Sequence, residues 1–148
     1  EIKKVAGKYG FEIVEQGISS ANELPQAIDK MLTQVDALYL PTDNLISSSS
    51  ALIAEKANAA KIMTFAAESG MLENGIFITK GIDYYQLGKE AGKMAAEILK
   101  DGKKPSDLPY NISETVEIAV NKQTLEQLGI KLPEDVMSKA KFMETKAK

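Results

Sequence analysis

From its first residues to about residue 100, the chain alternates short β-type runs with helical patterns, and this rhythm restricts the fold more than any single motif. Residues 11–16 (FEIVEQ) alternate apolar and polar, as a strand does. A helix is predicted over residues 21–34, with Ser19, Ser20 and Asn22 as N-cap candidates and Pro25 tolerable only in its first turn. Leu24, Ile28, Met31, Leu32 and Val35 recur at helical spacing and form its buried stripe. Residues 36–40 (DALYL), 62–66 (IMTFA) and 76–79 (IFIT) read as further strands. A helix follows the first of these through residue 59, and a polar loop over 67–75 separates the other two. Residues 84–100 form a long amphipathic helix with Leu87, Ala91, Met94, Ala95, Ile98 and Leu99 inward, ended by Asp101 and Gly102. Strand alternating with helix predicts an α/β fold, a doubly wound parallel sheet with helices on both faces.

After Gly102 the rhythm changes. KKPSDLP is a linker, residues 116–120 (VEIAV) a strand, and residues 122–128 a helix capped by Gly129. Pro133 opens a short terminal helix, and the lysine-rich end is expected to fray. Lys3 to Gly10 resembles the end of a helix. Glu1 is not an initiator residue, so a preceding region is expected.

Composition matters mainly through what is missing. The chain has no cysteine, which removes disulfides, thiolate metal sites and thiol nucleophiles. It has no histidine, the commonest general base and metal ligand. All 18 positive side chains are lysines, so no guanidinium fork can hold an anion. A net charge of −3 with scattered lysines lacks the basic footprint of a nucleic-acid binder. No apolar run approaches the roughly 20 residues that span a bilayer. Neither a metal nor a cofactor is expected; catalysis is not impossible under these limits, but most hydrolytic and nucleophilic schemes lose their usual parts.

In open parallel sheets, ligands bind outside the carboxyl ends of the strands. That rule selects three loops: the one after Leu40 with Thr42, Asp43, Asn44 and the serines at 47–50; the one after Ala66 with Glu68, Ser69 and Gly70; and the one after Thr79 with Lys80, Asp83 and Tyr84. Convergence of Asp43, Glu68 and Asp83 would make a negative pocket suited to an ammonium group, while hydroxyls and free N–H groups at the serine-rich helix start would suit a carboxylate. Together they describe a receptor for an amino acid. Each residue also has a plainer reading. Asp43, Asn44 and Asp83 suit N-caps, and Glu68-Ser69-Gly70 suits a turn with Gly70 at positive φ. The serines suit a solvated helix start, and Tyr84 and Tyr85 cannot both face inward. Met63, Met71, Met94 and Met137 read as core filler.

Several stretches then resemble one family: VDALYLPTDN at 35–44, the alanine-rich helix ending in AAKI at 59–62, ENGIFITKGIDYYQLGKEAGKMAAEILKDGKKPSDLP at 73–109, and VEIAVNKQTLEQLGIKLPEDVMSKA at 116–140. Their order resembles the ABC-transporter substrate-binding proteins of the type I periplasmic-binding fold, nearest the subgroup linked to tryptophan or tyrosine uptake. The resemblance implies a two-lobed clamp closing on a ligand. Residues 1–81 would supply the C-terminal lobe core, 82–115 a crossover and helix of the N-terminal lobe, and 116–148 the return strand and terminal helices. It also implies an extracellular or periplasmic protein that hands a small molecule, an amino acid, to an ABC permease. Its only membrane attachment would be a lipid anchor outside this chain. The implied ligand contacts are Thr42, Asp43, Asn44, Glu68, Ser69, Gly70, Asp83 and Tyr84. Two features depart from the family pattern: KIMTF at 61–65, where a KIPVF-like run is usual, and Lys80, where small or polar residues are usual. The same two-lobed fold also serves as the sensing domain of transcription regulators. A receiver-type domain with Asp43 as phosphoacceptor is a third reading, opposed by the lack of a paired acidic cluster after the first strand.

Overall fold

A computed structural model describes residues 2–109 and 116–146. Its centre is a five-stranded sheet in the order β1 (Ala37–Leu40), β2 (Met63–Glu68), β3 (Ile78–Ile82), β4 (Val116–Asn121), β5 (Lys141–Met143). The β1–β2, β2–β3 and β4–β5 pairs are parallel, whereas β3 and β4 are antiparallel. The sheet is therefore mixed rather than wholly parallel. The antiparallel step has a simple cause: β4 returns beside the strand from which the chain departed, with Val116 opposite Ile82.

The helices are α1 (Ile2–Ala6), α2 (Leu24–Leu32), α3 (Asn44–Ser48), α4 (Ser50–Ala59), α5 (Tyr84–Leu99), α6 (Lys122–Leu128) and α7 (Glu134–Met137). Strand alternation divides the core into two layers. Leu38, Leu40 and Ala66 face one side, where Leu24 and Ile28 of α2 and Ile53, Ala54 and Ala57 of α4 cover them. Ile78 and Val120 face the other, packed with Leu125 and Leu128 of α6 and Val136 of α7. Helices thus lie on both faces, as the alternation predicts.

Four local expectations need correction. Residues 11–16 lie outside the sheet, and Phe11 is 69% exposed. Period-2 patterning makes a strand only where a ladder partner is available, and these residues have none among those described. The stretch 67–75 is not a polar loop: β2 runs to Glu68, and the 3₁₀ turn Ser69–Asn74 buries Met71 and Leu72 in the core. That turn ends at Gly75, φ 95°, whereas Gly70 does not have positive φ. Lastly, the lysine-rich end does not simply fray, because residues 141–143 form β5 beside β4.

The methionine expectation is met in part. Met71 is buried and Met63 packs against the core, but Met137 is 41% exposed. The long helix α5 forms as expected, yet its stripe is not covered: Leu87 is exposed and Leu99 is 86% exposed.

Candidate functional site

Because β1, β2 and β3 run parallel, their carboxyl ends share one rim of the sheet. β1 ends at Leu40, β2 at Glu68 and β3 at Ile82, and the predicted site residues lie at or just beyond those ends. Thr42, Asp43 and Asn44 are exposed on the turn into α3. Asp43 caps that helix, its Oδ1 accepting from the N–H groups of Leu45 at 2.8 Å and Ile46 at 3.0 Å. Asp83 does the same for α5, its Oδ1 accepting from Tyr85 N at 2.9 Å and Gln86 N at 3.1 Å. In both residues Oδ2 meets no donor among the described residues. A capping aspartate of this kind still presents a second carboxylate oxygen to solvent.

Glu68 is half-buried and differently held. Ser47 Oγ, on α3, donates to its Oε1 at 3.2 Å. Its carboxylate lies over Gly70, where a Cβ would stand 3.3 Å from Oε2. Ser69, half-buried, opens the turn between them. The loop after β1 and the end of β2 are therefore brought together through Ser47 and Glu68.

The serine run turns inward along its length, from exposed Ser48 to buried Ser50. Ser48 Oγ donates to Leu45 O at 3.0 Å within its own turn. Ser50 is fully buried, donating to Ser47 O at 2.7 Å and accepting from Asn74 Nδ2 at 2.9 Å.

Asp83 opens onto a separate feature, an open cleft of about 530 Å³ lined by Lys80, Asp83, Gln86, Glu117, Ile118 and Lys139, with Val116 at its edge. Asp43 and Glu68 do not line this cleft. Neither Lys80 nor Lys139 has an acidic partner among the described residues, so the cleft carries two ammonium groups beside two carboxylates. Tyr84 is 49% exposed and Tyr85 is 73% exposed, with the Lys89 ammonium 5.6 Å from the Tyr85 ring centroid. Neither tyrosine is core packing.

Sequence reasoning singled out the three rim segments but missed two features. Ser47 as the partner of Glu68 is a contact between separate loops, which no local pattern encodes. Gly81 carries a β-bulge, where β3 slips by one residue against β2; its signal was a glycine two residues past the predicted strand end, where β3 in fact continues to Ile82. Among the described residues no group of three acidic, histidine or cysteine side chains is gathered to hold a metal ion. No helix there is long and apolar enough to cross a membrane.

The comparisons with known proteins agree with the fold. The chain is 42% identical over 125 residues to a protein named tyrosine-binding protein from Clostridioides difficile (strain R20291), covering 84% of this chain and 36% of that one. It superposes with a TM-score of 0.77 and 39% identity on the ligand-free, open structure of a substrate-binding protein with adhesive properties from Clostridium difficile, covering 98% of this chain and 48% of that one. A Streptococcus pneumonia ABC domain in complex with L-Trp gives a TM-score of 0.82 at 31% identity, covering 95% of this chain and 47% of that one. The chain thus spans less than half the length of these proteins. A family model described as ABC transporter substrate binding protein matches residues 1–144, and the chain belongs to that family.

Proposed function

We propose that this chain is the ligand-gripping C-terminal half of an extracellular or periplasmic protein that delivers an amino acid, with aromatic side chains favoured, to an ABC importer. The observation that carries this reading is the alignment of three acid-bearing segments at the carboxyl ends of adjacent parallel strands, with Glu68 in register with Ile82 beside Asp83. Thr42, Asp43, Asn44, Glu68, Ser69, Gly70, Asp83 and Tyr84 are the proposed contacts. The carboxylates would take the ligand's ammonium. Similarity to a protein named for tyrosine binding and to a structure holding L-Trp supports an aromatic ligand.

In this reading residues 1–81 form the core of one lobe, residues 82–115 cross to the other and contribute α5 to it, and residues 116–148 return. The uncovered stripe of α5 supports that division. A ligand that touches both lobes only in the closed form stabilises closure by its differential affinity, and the closed form is what the permease would engage. No catalytic step is involved. Attachment to the membrane would be through a lipid anchor outside this chain.

Isothermal titration of the full-length protein against the amino acids tests the reading. Tyrosine or tryptophan is expected to bind most tightly, with Glu68→Gln and Asp83→Asn each weakening binding by about tenfold, the loss of one charge-assisted hydrogen bond. Absence of binding by every amino acid sinks it.

A further inference from the structure

Strand β3 is paired differently on its two sides. Against β4 the ladder runs residue for residue, with Thr79 opposite Ala119, Lys80 opposite Ile118, Gly81 opposite Glu117 and Ile82 opposite Val116. Against β2, Ala66 pairs with Thr79 but Glu68 pairs with Ile82. Two residues of β3, Lys80 and Gly81, therefore stand against the single residue Ala67. This is a β-bulge, one extra residue that bends its strand and re-aims the residues beyond it.

Gly81 is what the bulge requires. A Cβ on it would lie 2.1 Å from the Ala67 carbonyl oxygen and 2.7 Å from the Ala67 carbonyl carbon. Both are backbone atoms of a central strand, so no side chain can swing aside to make room. The φ of Gly81 is not in the left-handed region, so the constraint is space and not conformation. Just before the bulge, Thr79 Oγ1 donates to Ala66 O at 2.7 Å and pins the last regular pair.

An unbulged ladder would put Gly81 opposite Glu68 and carry Asp83 one residue, about 3.3 Å, farther along the strand direction. With the bulge, Asp83 comes immediately after the residue paired with Glu68. We propose that Gly81 is a positioning residue for the ligand site: the bulge it permits sets how far along the rim Asp83, at the mouth of the Lys80 cleft, stands from Glu68 outside that cleft, and so the fit of a ligand that spans the two. This rests on the reading of those two carboxylates as ligand contacts.

The test is a mutant cycle on the full-length protein, titrated with L-tyrosine and L-tryptophan. Gly81→Ala is expected to weaken binding at least about tenfold, while in a Glu68→Gln background the same change costs under about threefold, because the pair to be spaced is already broken. Should Gly81→Ala not fold, Thr79→Val removes the pinning hydrogen bond at constant shape, and the same attenuation in the Glu68→Gln background is expected. If neither amino acid binds the unaltered protein, the underlying functional reading fails and this proposal with it. If the unaltered protein binds and Glu68→Gln weakens it, but Gly81→Ala and Thr79→Val bind normally or show an undiminished penalty in the Glu68→Gln background, the positioning role is overturned while the functional reading stands.

Discussion

Asn121 has no exposed surface, and its side chain meets three neighbours. Its Nδ2 donates to Leu72 O at 2.7 Å and to Thr145 Oγ1 at 2.9 Å, while its Oδ1 accepts from Thr124 N at 2.9 Å and so caps α6. Asn121→Ala would remove the cap and strand a buried carbonyl and N–H, at a cost of about 2–4 kcal/mol. Urea unfolding should show a lower midpoint at unchanged slope. Lys61 offers the opposite case. It holds φ 60° just past α4, where Ile62 N donates to Ala57 O at 2.9 Å in a Schellman-type ending. A non-glycine residue in that conformation costs roughly 1–2 kcal/mol, part of which glycine gives back through its unfolded-state freedom. Lys61→Gly also gives up the hydrogen bond that Lys61 Nζ donates to Gln127 O, so the net gain should be at most about 0.5 kcal/mol, seen as a slightly higher melting temperature. At this scale the sequence was legible where a residue type names its own conformation. Gly129, read as a helix stop, sits at φ 69°. A lysine carries no such signal, and although an asparagine before α6 suits its cap, nothing local marked the bonds of Asn121 to Leu72 and Thr145.

Strands β1 to β4 and helices α2, α4, α5 and α6 could be read from periodicity and caps, because one face of each contains a repeating apolar pattern. What periodicity could not supply is the partner. Residues 11–16 have the pattern of a strand without a ladder, while the three-residue β5 has almost no pattern and gains its ladder from β4. The same limit applies to the site: the three rim loops were legible from strand ends, but the Ser47–Glu68 contact and the bulge at Gly81 arise only when strands are set side by side. For α5 the sequence read a buried stripe, and among the described residues that stripe stays uncovered. In the present chain, Leu87→Ala and Leu99→Ala should shift stability by less than about 0.5 kcal/mol, as exposed substitutions do. In the full-length protein, if α5 docks on the second lobe as proposed, the same changes should cost about 2 kcal/mol or more, measured by the same denaturant titration.

For the whole molecule, the family match reaches from residue 1 to residue 144, yet the chain covers 36% of one matched relative and 47–48% of two matched structures. If ligand is held between two lobes, this chain alone offers one wall. Titration with tyrosine or tryptophan should give far weaker binding than the full-length protein, and equal affinities would contradict the two-lobe reading. Ile82 and Val116 form a cross-strand pair, so the chain leaves the sheet after the one and rejoins it at the other, side by side. Such an excursion is detachable in principle. Joining Ile82 to Val116 through an Asn-Gly turn, which suits a two-residue hairpin, should leave the five strands assembled, with their amide exchange protection intact. Evolution could thus regraft this stretch without renegotiating the scaffold beneath.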